Sequence, residues 1–280
     1  MPWSPELFTA PVLERIRSRA ADARVAEPVP YFEGVGSGEP VALIGSFAGV
    51  PELHHPVYGR VKGEREFERF IVDTNAWLNR LGAVGGEISR VVTPRRAVEE
   101  TVLTVDRGEE RIELPVVTVV ERDDDGRILE LRIYYGNWPL TGGHAGRPPL
   151  LQPDPDLRMP DVVGDYHGAL AAGDVDAALA AFEPDGYVRE PAGGAFVHRG
   201  REGMTAMYER FFSNGGGIPL EMCAVTDDGR SCAAECNVVR WGRTDRLPAA
   251  AVAVQERGAS GRLAAVRLYN AVDPPLAPAR

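Results

Sequence analysis

Between residues 161 and 211 apolar side chains recur every three or four positions, and beyond 220 they alternate with polar ones, so helices are expected first and strands after them. Val162, Val163, Tyr166 and Leu170 share one helical face that stops at Gly173, and Asp174 caps a second helix running to Phe182. Met204, Met207, Tyr208 and Phe211 line a third helix, which follows Gly200 and ends in Asn214-Gly215-Gly216-Gly217. Strands are expected over 220–226, 231–241, 248–256 and 262–272, the first two joined by a turn at Asp227-Asp228-Gly229. Helices followed by an antiparallel meander make an α+β arrangement. Far upstream, Leu7, Val12, Leu13 and Ile16 among charged residues suit a short amphipathic helix over 5–24.

The pattern occurs twice. Gly126-Arg127-Ile128-Leu129-Glu130-Leu131-Arg132-Ile133-Tyr134 matches Gly261-Arg262-Leu263-Ala264-Ala265-Val266-Arg267-Leu268-Tyr269 at an offset of 135, which also aligns Tyr31 with Tyr166, Gly38 with Gly173, Phe47 with Phe182, Pro56 with Pro191 and Glu100 with Glu235. Chance matches scatter over many offsets, so the chain reads as an internal duplication. A Gly/Pro-rich stretch around 141–155 separates the copies, since no helix or strand interior tolerates it. The expected organisation is an N-terminal helical extension (1–30), a first repeat (31–142), a linker (143–158) and a second repeat (159–280).

With 31 Lys plus Arg against 41 Asp plus Glu, the net charge of −10 repels phosphate backbones and anionic lipid, so nucleic acid is not an expected partner. No apolar run is long enough to span a bilayer, and the first residues lack a basic stretch followed by an apolar one, so no membrane association and a cytoplasmic location are expected. The three cysteines, Cys223, Cys232 and Cys236, are an odd, clustered set without metal-ligand spacing, which reads as reduced core residues. Glycine-rich phosphate loops and nucleophilic triad motifs are absent, so neither a cofactor nor a metal is expected.

Val163-Gly164-Asp165-Tyr166-His167-Gly168-Ala169-Leu170, Phe182-Glu183-Pro184-Asp185-Gly186-Tyr187-Val188-Arg189-Glu190-Pro191 and the run 262–269 together resemble the ketosteroid-isomerase and SnoaL-like branch of the nuclear transport factor two-like superfamily. The resemblance implies, for each repeat, a cone of about three helices on a curved antiparallel sheet with an apolar pocket. Relatives pair sheets as homodimers, which for a tandem chain implies an intramolecular pseudo-dimer, with further oligomerisation left open. Arg132/Tyr134 and Arg267/Tyr269 then read as structural or inter-repeat contacts. In length and duplicated layout the chain also resembles tandem epoxide hydrolases of polyether biosynthesis.

The resemblance places Glu190 where the steroid isomerases keep a proton-shuttling carboxylate, and Tyr166 where they keep an oxyanion-donating phenol. A carboxylate in an apolar cavity becomes a base near neutral pH, and a buried phenol holds a developing enolate. The alternatives are a solvated turn residue beside Arg189 and His198 for Glu190, and a core aromatic for Tyr166. Tandem epoxide hydrolases pair a loop acid and a strand acid with a tyrosine, roles that Glu190, Glu221 and Tyr166 would fill.

Glu87 is matched to Glu221 by allowing a one-residue slip. Alternation puts Glu235 on a face with Ala233, Asn237 and Trp241, either as a pocket wall or as an ion-pair partner; Glu100 is its first-repeat counterpart. His55 occupies the position of Glu190 in the first repeat, which is expected to be a scaffold or a divergent site. Ala253 stands where the isomerases carry a protonated aspartate, which argues against steroid isomerisation. The expected function is cofactor-independent acid/base chemistry of secondary, polyketide-type metabolism on an apolar oxygenated small molecule, by epoxide opening, cyclisation or isomerisation. The alternative is a non-catalytic binding or assembly protein.

Overall fold

The structure, a computed structural model, describes residues 40–108, 110–142 and 146–269; the helix expected over 5–24, the 1–30 extension, Tyr31 and Gly38 lie outside them. The chain divides into two compact units, Met1–Tyr135 and Gly136–Arg280. The first contains α1 (Pro40–Gly45), β1 (Glu52–His55), β2 (Gly59–Lys62), α2 (Glu64–Arg80), β3 (Val84–Val92), β4 (Arg96–Arg107), β5 (Glu110–Arg122) and β6 (Ile128–Tyr134). The second contains α3 (Trp138–Thr141), α4 (Asp161–Ala172), α5 (Val175–Ala180), β7 (Phe182–Arg189), β8 (Val197–Arg199), α6 (Gly200–Phe211), β9 (Leu220–Asp227), β10 (Ser231–Trp241), β11 (Thr244–Arg257) and β12 (Leu263–Tyr269). Among the described residues no helix is long and apolar enough to cross a membrane.

Each unit is built on one six-stranded sheet, ordered β2-β1-β6-β5-β4-β3 in the first and β8-β7-β12-β11-β10-β9 in the second. The same strand order, with Leu53 beside Leu131 and Val188 beside Val266, repeats the 135-residue sequence offset in space.

Two expectations need correcting. The helices do not all precede the sheet, because the β7–β8 hairpin intervenes between α5 and α6, and the sheets are mixed, because β1 runs parallel to β6 and β7 to β12. The reason lies in Glu183-Pro184-Asp185-Gly186, which has turn chemistry but sits inside β7. Register jumps there from Phe182↔Leu263 to Tyr187↔Ala265, so the intervening residues loop out of an otherwise paired strand. The second helix also stops at Ala180 rather than reaching Phe182, which starts β7.

Local chemistry explains the helix ends. Gly173 takes φ 73° at the end of α4, and the Asp174 carboxylate accepts the Ala177 N–H at 2.9 Å at the start of α5. Asp174→Ala is expected to cost about 1 kcal/mol in urea unfolding, the usual worth of such a cap. In α2, Phe67, Phe70, Ile71, Thr74 and Leu78 form the buried stripe, with Glu64 and Glu66 in the first turn and Arg80 in the last, complementing the helix dipole.

Strand alternation gives each sheet a helix face and an opposite face. In the second unit the helix face contributes Val188, Cys232, Cys236, Val238, Ala251 and Val266 to a core shared with Val163, Tyr166, Met204, Met207, Tyr208 and Phe211. The opposite face carries Arg267, whose Nη1 meets Glu256 at 3.0 Å and the Tyr187 hydroxyl at 3.2 Å; in the first unit Arg132 holds Glu121 at 2.9 Å and also pairs with Glu130. These are ion pairs within each sheet.

Candidate functional site

Glu190 follows β7 directly, one step past the Arg189↔Arg267 pair, on the helix face that Val188 shares. It is buried, and its Oε1 lies 2.7 Å from Nε2 of His198, also buried, which enters from β8 opposite Val188. A carboxylate only accepts, so Nε2 carries the hydrogen and Nδ1 is left as the acceptor nitrogen. Carboxylate and imidazole together form an oriented dyad.

The same face holds a pair of phenols. Tyr208 from α6 donates its hydroxyl to that of Tyr166 from α4 at 3.2 Å, with the Tyr166 ring edge-on to Phe182. Burial pushes the Tyr166 hydroxyl up to about 12 and that of Tyr208 well above the ordinary phenol value, so both stay protonated. Because Tyr208 donates to Tyr166, the Tyr166 proton is the one left for a third group. Beside it, His167 donates Nε2–H to the side-chain oxygen of Gln255 at 2.9 Å, while the Gln255 nitrogen donates to the Cys232 carbonyl at 2.6 Å. Among the described residues His167 Nδ1 has no hydrogen-bond partner, and burial pulls the ring down to about 4, so it is neutral.

Other expected members are placed elsewhere. Glu221 is exposed on β9 and opposite Asn237, on the face away from the core, whereas Glu190 and Tyr166 belong to the helix side. A bulge between Glu235 and Cys236 sets that register, and Met222, not Glu221, lies on the helix face. Glu235 and Asn237 share the opposite face, where Asn237 Nδ2 donates to the Leu151 carbonyl at 3.3 Å. A second bulge, at Val238/Arg240, turns Trp241 to the core, with its indole N–H on the Phe211 carbonyl at 2.8 Å, so the expected common wall of Glu235, Asn237 and Trp241 does not exist. Cys232 and Cys236 are buried, and desolvation pushes their thiols up to about 12 and that of Cys223 to about 11.

In the first unit His55 is buried at the position of Glu190, among Tyr58, Phe70 and Tyr135 at ring separations of 5.2, 5.3 and 5.6 Å. Its Nδ1 accepts the Val57 and Tyr58 N–H groups, both at 3.1 Å, which puts the hydrogen on Nε2. Glu87 pairs with Arg90 at 3.1 Å on the helix face, whereas Glu100 accepts from Ser89 on the opposite one. Sequence reasoning missed Arg90, Glu99, His167 and Gln255. Alternation within 96–107 would have found Glu99, which shares a face with Thr101 and Leu103.

Among the described residues Glu52, His54 and Glu130 are grouped closely enough to hold a metal ion. Arg60 at 2.6 Å and Lys62 at 2.7 Å already neutralise Glu52, whose carboxyl the Arg60 hydrogen bond helps pull to about 2, and Arg132 holds Glu130. The group is an ion-pair network whose cations are side chains.

The sequence profile of the SnoaL-like domain family matches residues 163–267, which include Tyr166, Glu190 and His198. The likeness to that family is carried by residues 163–267. Solved structures similar to the chain include a protein from Catenulispora acidiphila with a ketosteroid isomerase-like fold, in complex with trimethylamine (16% identity, 41% of this chain and 88% of that one, TM-score 0.35). An NTF-2 like protein from Burkholderia xenovorans is 21% identical over 41% of this chain and 84% of its own, with a TM-score of 0.32. SalBIII, the epoxide hydrolase/cyclase-like enzyme of pyran ring formation in polyether salinomycin, is 14% identical over 45% of this chain and 95% of its own, with a TM-score of 0.33. No curated protein matches the chain.

Proposed function

We propose that the SnoaL-like domain binds an apolar, oxygenated small molecule and moves a proton on it by side-chain acid/base chemistry, in an isomerisation or cyclisation of the kind found in polyketide-type metabolism. The observation that carries this is the buried Glu190–His198 contact of 2.7 Å on the helix face of the sheet. Glu190 orients the ring and stabilises it once it is charged; His198 Nδ1 takes the proton from carbon or hydroxyl. Tyr166, its own proton free because Tyr208 donates to it, supports the oxygen on which negative charge develops. Low polarity around both pairs strengthens these hydrogen bonds. Epoxide opening is less well supported, since it needs a second acid on the same face and Glu221 is exposed on the other.

The test uses 2-tetralone, an apolar ketone with acidic α-hydrogens, and follows its deuterium uptake from D2O by NMR. The intact chain is expected to accelerate exchange over buffer, with Glu190→Gln and His198→Ala each losing about 100-fold or more, the usual share of a positioned base. Tyr166→Phe should lose less, and Glu221→Gln should stay within about twofold. If the wild type gives no acceleration, or Glu221→Gln falls as far as Glu190→Gln, the catalytic reading is wrong and a non-catalytic binding role takes its place.

A further inference from the structure

The two members of the Glu190–His198 pair are held in different ways. His198 lies within β8, where pairing with β7 sets Val188 opposite His198 and Arg189 opposite Val197. Glu190 lies one residue beyond the last of these pairs, facing Phe196, whose carbonyl accepts the Glu190 N–H at 3.0 Å. Glutamate and histidine are therefore diagonal neighbours on one face of a hairpin, and the 2.7 Å contact between them depends on the Glu190–Phe196 rung staying closed.

Residues 191–195 close that rung through two consecutive turns. In the first, Gly193 donates its N–H to the Glu190 carbonyl at 3.3 Å, with Pro191 at the position where turns favour proline. In the second, Phe196 donates its N–H to the Gly193 carbonyl at 3.0 Å. Gly193 belongs to both turns and joins them at φ 99° and ψ −164°. This combination is essentially confined to glycine, because an L side chain there runs into its own backbone. Gly194, exposed beside it, takes no positive φ.

The first repeat closes the same hairpin in another way. His55 pairs with Gly59 across the short connection Pro56-Val57-Tyr58, and there the side chain holds the turn, His55 Nδ1 accepting the Val57 and Tyr58 N–H groups. Tyr58 stands where the offset of 135 puts Gly193. In the second repeat the backbone of Glu190 accepts the turn N–H instead, and the carboxylate is directed to His198. We propose that Gly193 is the positioning residue of the Glu190–His198 pair: its backbone conformation links the two turns and thereby holds the carboxylate against the ring. The proposal rests on the reading of this pair as the acid/base group, but its first readout, the hydrogen on His198 Nε2, needs no turnover.

NMR of the full-length protein carrying isotope-labelled histidine observes that hydrogen directly, and its loss in His198→Ala identifies the signal. The wild type is expected to show a ring N–H that exchanges slowly with water. Gly193→Ala should speed this exchange about tenfold or more, the worth of one hydrogen bond, and slow 2-tetralone deuteration by a similar factor. Gly194→Ala should change either readout by no more than about twofold, as an ordinary exposed substitution does. D-alanine introduced at position 193 by chemical ligation has mirror-image preferences, for which φ 99° and ψ −164° is ordinary extended backbone, and should restore both readouts. The proposal is overturned if the wild type shows no protected ring N–H, if Gly193→Ala leaves the exchange unchanged, if Gly194→Ala matches it, or if D-alanine behaves as L-alanine does. Should Gly193→Ala fail to fold, the D-alanine protein decides: a protected Nε2 hydrogen supports the proposal and its absence ends it. A wild type with the protected hydrogen but no deuteration of 2-tetralone would end the catalytic reading and leave the positioning of the pair standing.

Discussion

Gly217→Ala is expected to unfold the second unit at denaturant concentrations where the native chain keeps it folded. A Cβ at this position would stand 2.2 Å from the Leu170 carbonyl oxygen, 2.4 Å from that of Ala171 and 2.4 Å from the Gly173 nitrogen, all backbone atoms at the end of α4. None can swing aside, because the Ile218 N–H is donated to Leu170 O and the Gly242 N–H to Gly217 O, both at 2.8 Å. The segment after α6 is thus seated by its backbone against the end of α4, and only glycine allows that approach. The expected loss is about 4 kcal/mol or more, at the upper end for single substitutions. Gly49→Ala, whose Cβ would meet nothing within 4 Å, is the control and should change stability by no more than about 0.5 kcal/mol. Urea unfolding followed by circular dichroism separates the two outcomes.

Acid should destabilise the second unit as pH falls from 6.5 towards 4, and His167 is the reason. Its ring is pulled by burial from an ordinary value near 6.5 to about 4 in the folded state. Above about pH 6.5 neither folded nor unfolded chain binds a proton there, and the stability associated with the buried neutral ring is complete. As pH falls towards 4, the unfolded chain takes up a proton that the folded one refuses, so stability declines across that window by up to about 3 kcal/mol. The paired carboxylates act lower down. Glu52, held near 2 against an ordinary 4.5, keeps its contribution above that ordinary value and loses it only as pH drops towards 2. His167→Gln should therefore flatten the stability profile between pH 6.5 and 4 and leave the steeper loss below it. A profile that keeps its slope in the variant would assign the acid sensitivity to another group.

The duplication and the helix positions of the second unit were legible because they rest on patterns that survive small errors: a constant offset, glycine stops and apolar stripes. Faces within strands are less forgiving, since one residue of slippage exchanges them. Glu87 and Glu221 illustrate the point. Alignment with a one-residue slip made them equivalents, yet Glu87 pairs across from Thr101 on the helix face and Glu221 across from Asn237 on the other, with Met222 opposite Cys236. The bulges at Glu235/Cys236 and Val238/Arg240 leave no signature in alternation, so Trp241 could not be separated from Glu235 in advance. Glu190 stands out in the sequence and His198 lies close to it there, but their contact depends on the β7–β8 hairpin, which the Glu-Pro-Asp-Gly run disguises.

Parallel pairing of β1 with β6 and of β7 with β12 also bears on how the chain is made. The first strand of each sheet has no place until the last has left the ribosome, so neither sheet can close while its unit is still being synthesised. Long-range closure of this kind is slow, and the first unit gains its closing strand before the second does. A nascent chain halted between Arg257 and Leu263 would carry one finished sheet together with strands β7 and β11 whose pairing edges are open. Such edges are templates for pairing with another copy, so premature termination in this interval is expected to give aggregates, whereas termination just after Tyr135 leaves a chain with all six strands of its first sheet present.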